Sequence, residues 1–125
     1  MSLLNLENKR LLVVEDDDMS FLYLDHLLLL TKCAIVRKKF GIDTLELYRN
    51  NPGFDMILMD LQLPDMNGKQ VTREIRSRNS LIPIIAQTAD RSPLEKELAL
   101  KAGCTDVLLK PFSMEELFEV IGKYL

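Results

Sequence analysis

Five short apolar runs, each closed by a polar residue, recur along this chain, and a segment with helical spacing follows each one. The runs are Arg10–Val14, Ala34–Val36, Met56–Asp60, Pro83–Thr88 and Val107–Leu109. Short continuous apolar runs bounded by turn residues suit strands buried on both faces. Strands alternating with helices imply a parallel sheet covered by helices on both sides, joined by right-handed crossovers. This α/β, doubly wound architecture follows from the pattern alone. The order of the strands does not.

The helical segments carry start and stop signals. Asp17 or Asp18 caps a helix from Met19 to Leu30, with Phe21, Leu24 and Leu28 on one face. A second helix spans Ile42 to Asn50, with Ile42, Leu45 and Tyr48 inward, and Asn51-Pro52-Gly53 stops it. Asn67-Gly68 opens a third, from Lys69 to Arg78, burying Val71 and Ile75. Ser92 caps a fourth with Pro93 in its first turn, Leu94 and Leu98 inward, and Gly103 as its stop. Ser113 and Glu116 form a capping box for the last, whose Met114, Leu117, Phe118 and Ile121 share a face.

Composition narrows the function classes. The 125 residues suffice for one domain with a real core, so residues 1–125 are expected to be a single unit. A net charge of −3 argues against direct nucleic-acid binding, which needs a basic face. The basic runs Arg37-Lys38-Lys39 and Arg73 to Arg78 read as solvated faces. The apolar run Leu27 to Leu30 is too short to span a membrane, and Cys33 and Cys104 read as reduced thiols of a cytoplasmic protein. His26, the single histidine, lies mid-helix beside Asp25 without a nucleophile or ligand pattern, and reads as a surface residue.

The strand ends carry the chemistry. In a parallel sheet they share one edge, where such folds place their ligands. Glu15-Asp16, Asp60, Thr88 and Lys110 would meet there. Three acids close together repel, and a cation is needed if all are to stay ionised. Oxygen ligands with room for water suit Mg²⁺, and Lys110 adds a compact positive charge. An anion held by a metal and a lysine beside a carboxylate points to phosphoryl transfer onto that carboxylate. The alternative is a salt-bridged structural cluster, with Lys110 paired to an acid and Thr88 satisfying the main chain.

Four segments then resemble the receiver domains of two-component response regulators: Leu-Val-Val-Glu-Asp-Asp at 12–17, Ile-Leu-Met-Asp-Leu-Gln-Leu-Pro-Asp-Met-Asn-Gly at 57–68, Ile-Ile-Ala-Gln-Thr-Ala at 84–89 and Leu-Leu-Lys-Pro-Phe at 108–112. The resemblance runs from about Lys9 to Tyr124, and the Asp-Leu-Gln-Leu-Pro and Ile-Ile-Ala-Gln-Thr-Ala segments also look like receivers fused to sensor histidine kinases. It implies a flavodoxin-like (βα)5 fold with strand order 2-1-3-4-5. It implies that Asp60 accepts a phosphoryl group from a phosphohistidine. Asp16, Asp60 and the main-chain carbonyl of Gln62 would bind Mg²⁺, with Glu15 acting through metal-bound water. Lys110 would pair with Asp60 and then with the phosphoryl oxygen, and Thr88 would hydrogen-bond that oxygen after transfer. Gln62 and Asp90 occupy positions that tune hydrolysis, and Pro64 and Gly68 shape the loop after the acceptor.

The implied partners are a histidine kinase or a histidine phosphotransfer domain, with weak homodimerisation also expected. The chain departs from the family at Val107, where most receivers carry Tyr or Phe as the switch residue. Onward transfer of the phosphoryl group, or signalling by loop ordering, then takes the place of a ring-flip relay. Among other classes, a haloacid-type phosphatase shares a strand-end Asp and Mg²⁺ but wants a second Asp where Gln62 stands. A flavin binder would need a phosphate loop where Glu15 to Asp18 repel one. A phosphorylation-independent interaction domain would not need the full set of site residues.

Overall fold

The computed structural model describes residues 4–51, 53–78 and 80–125. Ten elements alternate in chain order: β1 (Arg10–Val14), α1 (Asp18–Leu29), β2 (Ala34–Lys38), α2 (Gly41–Asn50), β3 (Met56–Asp60), α3 (Gly68–Arg76), β4 (Ile84–Thr88), α4 (Pro93–Ala102), β5 (Asp106–Leu109) and α5 (Met114–Tyr124). The strands form one sheet in the order β2-β1-β3-β4-β5, and every neighbouring pair is parallel. The expected doubly wound architecture and strand order are therefore present. Pro52, placed by the sequence reading in the break after α2, lies outside the described residues.

Side chains along each strand alternate between two cores, as the pleat requires. Leu12, Val14, Ile57, Met59, Ile84 and Ala86 pack with Val71, Ile75 and Ala99 beneath α2, α3 and α4. Leu11, Val13, Met56, Leu58 and Ile85 pack with Leu24, Leu28, Leu117 and Ile121 beneath α1 and α5. Every residue of β3 and β4 is buried, which is why β3 reads as an unbroken apolar run up to Asp60 and β4 as one up to Gln87-Thr88.

The caps follow the sequence closely. Asp17, Asn67, Ser92 and Ser113 each accept a main-chain N–H of the first turn, and Ser113 with Glu116 completes the capping box. Gly103 ends α4 at φ 114°, a left-handed geometry that favours glycine. Helix α2 lacks a side-chain cap of its own and borrows one. The Asp65 carboxylate, from the loop after β3, accepts the Gly41 and Ile42 N–H groups at 2.8 and 2.9 Å.

Three inward assignments are corrected. Ile42 is 61% exposed, because Gly41 sits so close to Met66 and Val71 that a Cβ there would collide with both, and the next residue turns outward. Leu94 and Leu98 are exposed, and α4 instead buries Glu95, Ala99 and Ala102. Small alanines suit a helix packed closely on the sheet, and Glu95 finds a cation in Lys69 of α3. Strand β2 is also longer than expected, reaching Lys38.

Candidate functional site

Four of the five strands deliver a polar group to one edge of the sheet. Glu15 and Asp16 follow β1, Asp60 ends β3, Thr88 ends β4 and Lys110 follows β5. Glu15, Asp60 and Thr88 are almost wholly buried, whereas Asp16 and Lys110 are partly open to solvent. Glu15, Asp16 and Asp60 each place a carboxylate oxygen within 4.8 Å of the others. This all-oxygen, acid-rich donor set fits a hard divalent cation and no soft metal.

Charge balance explains the local geometry. Lys110 Nζ lies 2.8 Å from Glu15 and 3.7 Å from Asp60, so the lysine serves the more deeply buried acid first. The second Glu15 oxygen accepts the Asp17 N–H at 3.2 Å. One Asp60 oxygen accepts the Gln62 N–H at 3.0 Å. Burial nevertheless pushes the Asp60 carboxyl up to about 7. The Gln62 N–H and the Lys110 charge oppose the rise, and neighbouring Glu15 adds to it.

Around this centre the chain is held closely. A Cβ on Gly68 would lie 2.3 Å from the Asp60 carbonyl oxygen, so only glycine lets α3 start against the end of β3. Gln62 and Asn67 form an isolated bridge that closes the intervening loop, with Pro64 exposed on it. Thr88 Oγ1 accepts the Asp90 N–H at 3.0 Å, which leaves its own proton free to donate. Gln62 and Asp90 side chains are exposed beside the site. Val107 is half-buried against the core beneath α4, and His26 is exposed on α1 as expected.

Two residues escaped the sequence reading. Arg37 was assigned to a solvated basic face, yet its side chain is only 20% exposed and its guanidinium bonds to the Glu15 and Asp16 main chain. Gln87 ends its run beside Thr88 and is opposite Asp60 in the strand register. It is fully buried, and its amide has no hydrogen-bond partner among the described residues. A polar residue inside an apolar strand run was the available signal for Gln87. For Arg37 no signal existed, since its targets are main-chain oxygens.

The response regulator receiver domain family matches residues 11–122. The polar-differentiation response regulator DivK of Brucella ovis is 32% identical over 119 residues, spanning 94% of this chain and 96% of that one. Among solved structures, the receiver domain of the sensor histidine kinase PA1611 from Pseudomonas aeruginosa superposes with a TM-score of 0.85 at 31% identity. The match covers 93% of this chain and 96% of that one, which holds a magnesium ion coordinated in its active site cleft. The receiver domain of Ssk1 from Saccharomyces cerevisiae, solved with the histidine phosphotransfer protein Ypd1, superposes with a TM-score of 0.84 at 27% identity, covering 93% and 88%.

Proposed function

Because the chain belongs to the response regulator receiver domain family, we propose that its strand-edge site accepts a phosphoryl group from a phosphohistidine onto Asp60. The observation that carries this reading is the meeting of three carboxylates within 4.8 Å, with Lys110 bridging two of them. An Asp60 oxygen attacks phosphorus in line, the P–N bond breaks, and the imidazole leaves with the electron pair. Asp60 must be ionised to attack, and Lys110 favours that form against the effect of burial. Glu15, Asp16, Asp60 and the Gln62 main-chain carbonyl are the groups that would hold Mg²⁺. When bound there, the ion offsets charge on the carboxylates and on the phosphoryl oxygens.

Lys110 then pairs with the transferred group, and Thr88 offers it the hydroxyl proton that is not engaged with Asp90. Gln62 and Asp90, both exposed beside the site, would govern access of water to the acyl phosphate, while Gly68 and Pro64 would set the path of the loop. Val107 offers no ring to rotate, so the bound phosphoryl group is read by loop ordering or passed onward. The Ypd1 complex and the sensor-kinase receiver among the relatives support a histidine phosphotransfer domain or a histidine kinase as partner, and a hybrid-kinase origin. The whole chain acts as one receiver domain of the cytoplasm, a self-labelling acceptor rather than a turnover enzyme. No described helix is long and apolar enough to cross a membrane.

The test is labelling with acetyl phosphate and Mg²⁺, read by intact mass. One added phosphoryl group is expected, and none in Asp60→Asn. Labelling that persists in the Asn variant would place the acceptor elsewhere. Sustained turnover of a phosphomonoester would instead favour the phosphatase chemistry that Gln62 argues against.

A further inference from the structure

We propose that Arg37 is a positioning residue for this site, gripping the main chain of the loop after β1 so that Glu15 and Asp16 stay within reach of Asp60. Arg37 lies on β2 opposite Val13 in the register, one residue before the end of β1. Its Nε donates to the Glu15 carbonyl at 3.1 Å. Its Nη2 donates to the Asp16 carbonyl at 3.4 Å and to the Asp18 carboxylate at 2.9 Å. The guanidinium carbon sits 4.3 Å from the centre of the Phe21 ring, which fixes the plane of the fork.

The choice of targets is the argument. Three carboxylates crowded within 4.8 Å repel one another, and the loop could relieve this by swinging Glu15 and Asp16 outward. Lys110 already takes one Glu15 oxygen, and a second cation paired directly with those carboxylates would occupy the oxygens left for a metal. Arg37 binds their carbonyls instead, so it holds the loop and brings positive charge while leaving both carboxylates free of it. Only a planar fork with several donors makes these contacts at once, so lysine is no substitute. Asp18 and Lys39, whose ion pair is 3.1 Å, are spectators on the solvent side.

The inference rests on reading Glu15, Asp16 and Asp60 as the cation-binding set. It is tested by Mg²⁺ titration of the unphosphorylated full chain, followed by calorimetry and by the main-chain amide shifts of Asp16, Asp17 and Gln62. Arg37→Lys should weaken Mg²⁺ binding on the order of 10-fold, as loss of a group that orients metal ligands does. It should also move the Asp16 and Asp17 amides already in the metal-free protein. Asp18→Asn, which removes the ion pair and keeps the carbonyl bonds, should leave Mg²⁺ affinity within about twofold of wild type by the same reasoning. Arg37→Gln, shorter and neutral, should weaken binding at least as much as Arg37→Lys. Wild-type Mg²⁺ affinity in Arg37→Lys, with only thermal stability changed, would overturn the proposal, as would equal losses in Arg37→Lys and Asp18→Asn. A wild-type chain that does not bind Mg²⁺ would overturn the reading of the acidic site itself, and this inference with it.

Discussion

Replacing Asp60 with asparagine should make the metal-free protein more stable, by an amount that depends on pH. Burial holds the Asp60 carboxyl at about 7, against an ordinary value of 3.8. Between those two values the folded chain keeps a proton that the unfolded chain has lost. The folded state therefore binds more protons there, and stability falls as pH rises through the window. A span of about 3 pH units sets a ceiling of about 4 kcal/mol at pH 8. The site opens to water on one side, so the measured gain for Asp60→Asn should be on the order of 1–3 kcal/mol. Near pH 4 both side chains are uncharged and the difference should vanish. The chain has no tryptophan, so urea unfolding in EDTA is best followed by circular dichroism. A gap between wild type and Asp60→Asn that stays constant from about pH 4 to pH 8 would refute the assignment of the pH dependence to Asp60.

Two further substitutions probe the frame around the site. Gln87→Leu should stabilise the protein by about 1–3 kcal/mol in urea, because it replaces a buried amide without a partner among the described residues by an apolar group of similar size. Gly68→Ala should cost about 1–3 kcal/mol and slow acetyl phosphate labelling, because the new methyl meets main-chain atoms of Asp60 and Leu61 that cannot yield. Gly122→Ala is the matched control, since its nearest neighbour would be Leu4 at 3.8 Å, and its labelling rate should equal that of wild type.

Much of this fold is legible in the sequence. The strands announce themselves because β3 and β4 are buried on both sides, which forces apolar runs, and the caps because Asp17, Asn67, Ser92 and Ser113 are chosen by main-chain donors nearby. The acidic edge followed once all strands ran parallel. Errors arose where facing is decided by a neighbour distant in sequence. Leu94 and Leu98 have helical spacing, but the rotation of α4 is set by Ala99 against the sheet and by the Lys69–Glu95 ion pair. Lys110 reaches Asp60 at 3.7 Å as expected, but its closer approach to Glu15 at 2.8 Å is not legible, because the depth to which an acid is buried is not written in its local sequence. Arg37 was missed for the same reason: a side chain that binds carbonyl oxygens leaves no trace in the residues it holds.

The Lys110–Glu15 bond joins positions 95 residues apart. Nearly the entire polypeptide must be threaded before that handclasp exists, and β5, which precedes the lysine, is an edge strand of the sheet. A partly assembled chain therefore holds some acids but not their counter-ion. On the proposed reading of Asp60 as phosphoacceptor, phosphoryl uptake then depends on a completed sheet.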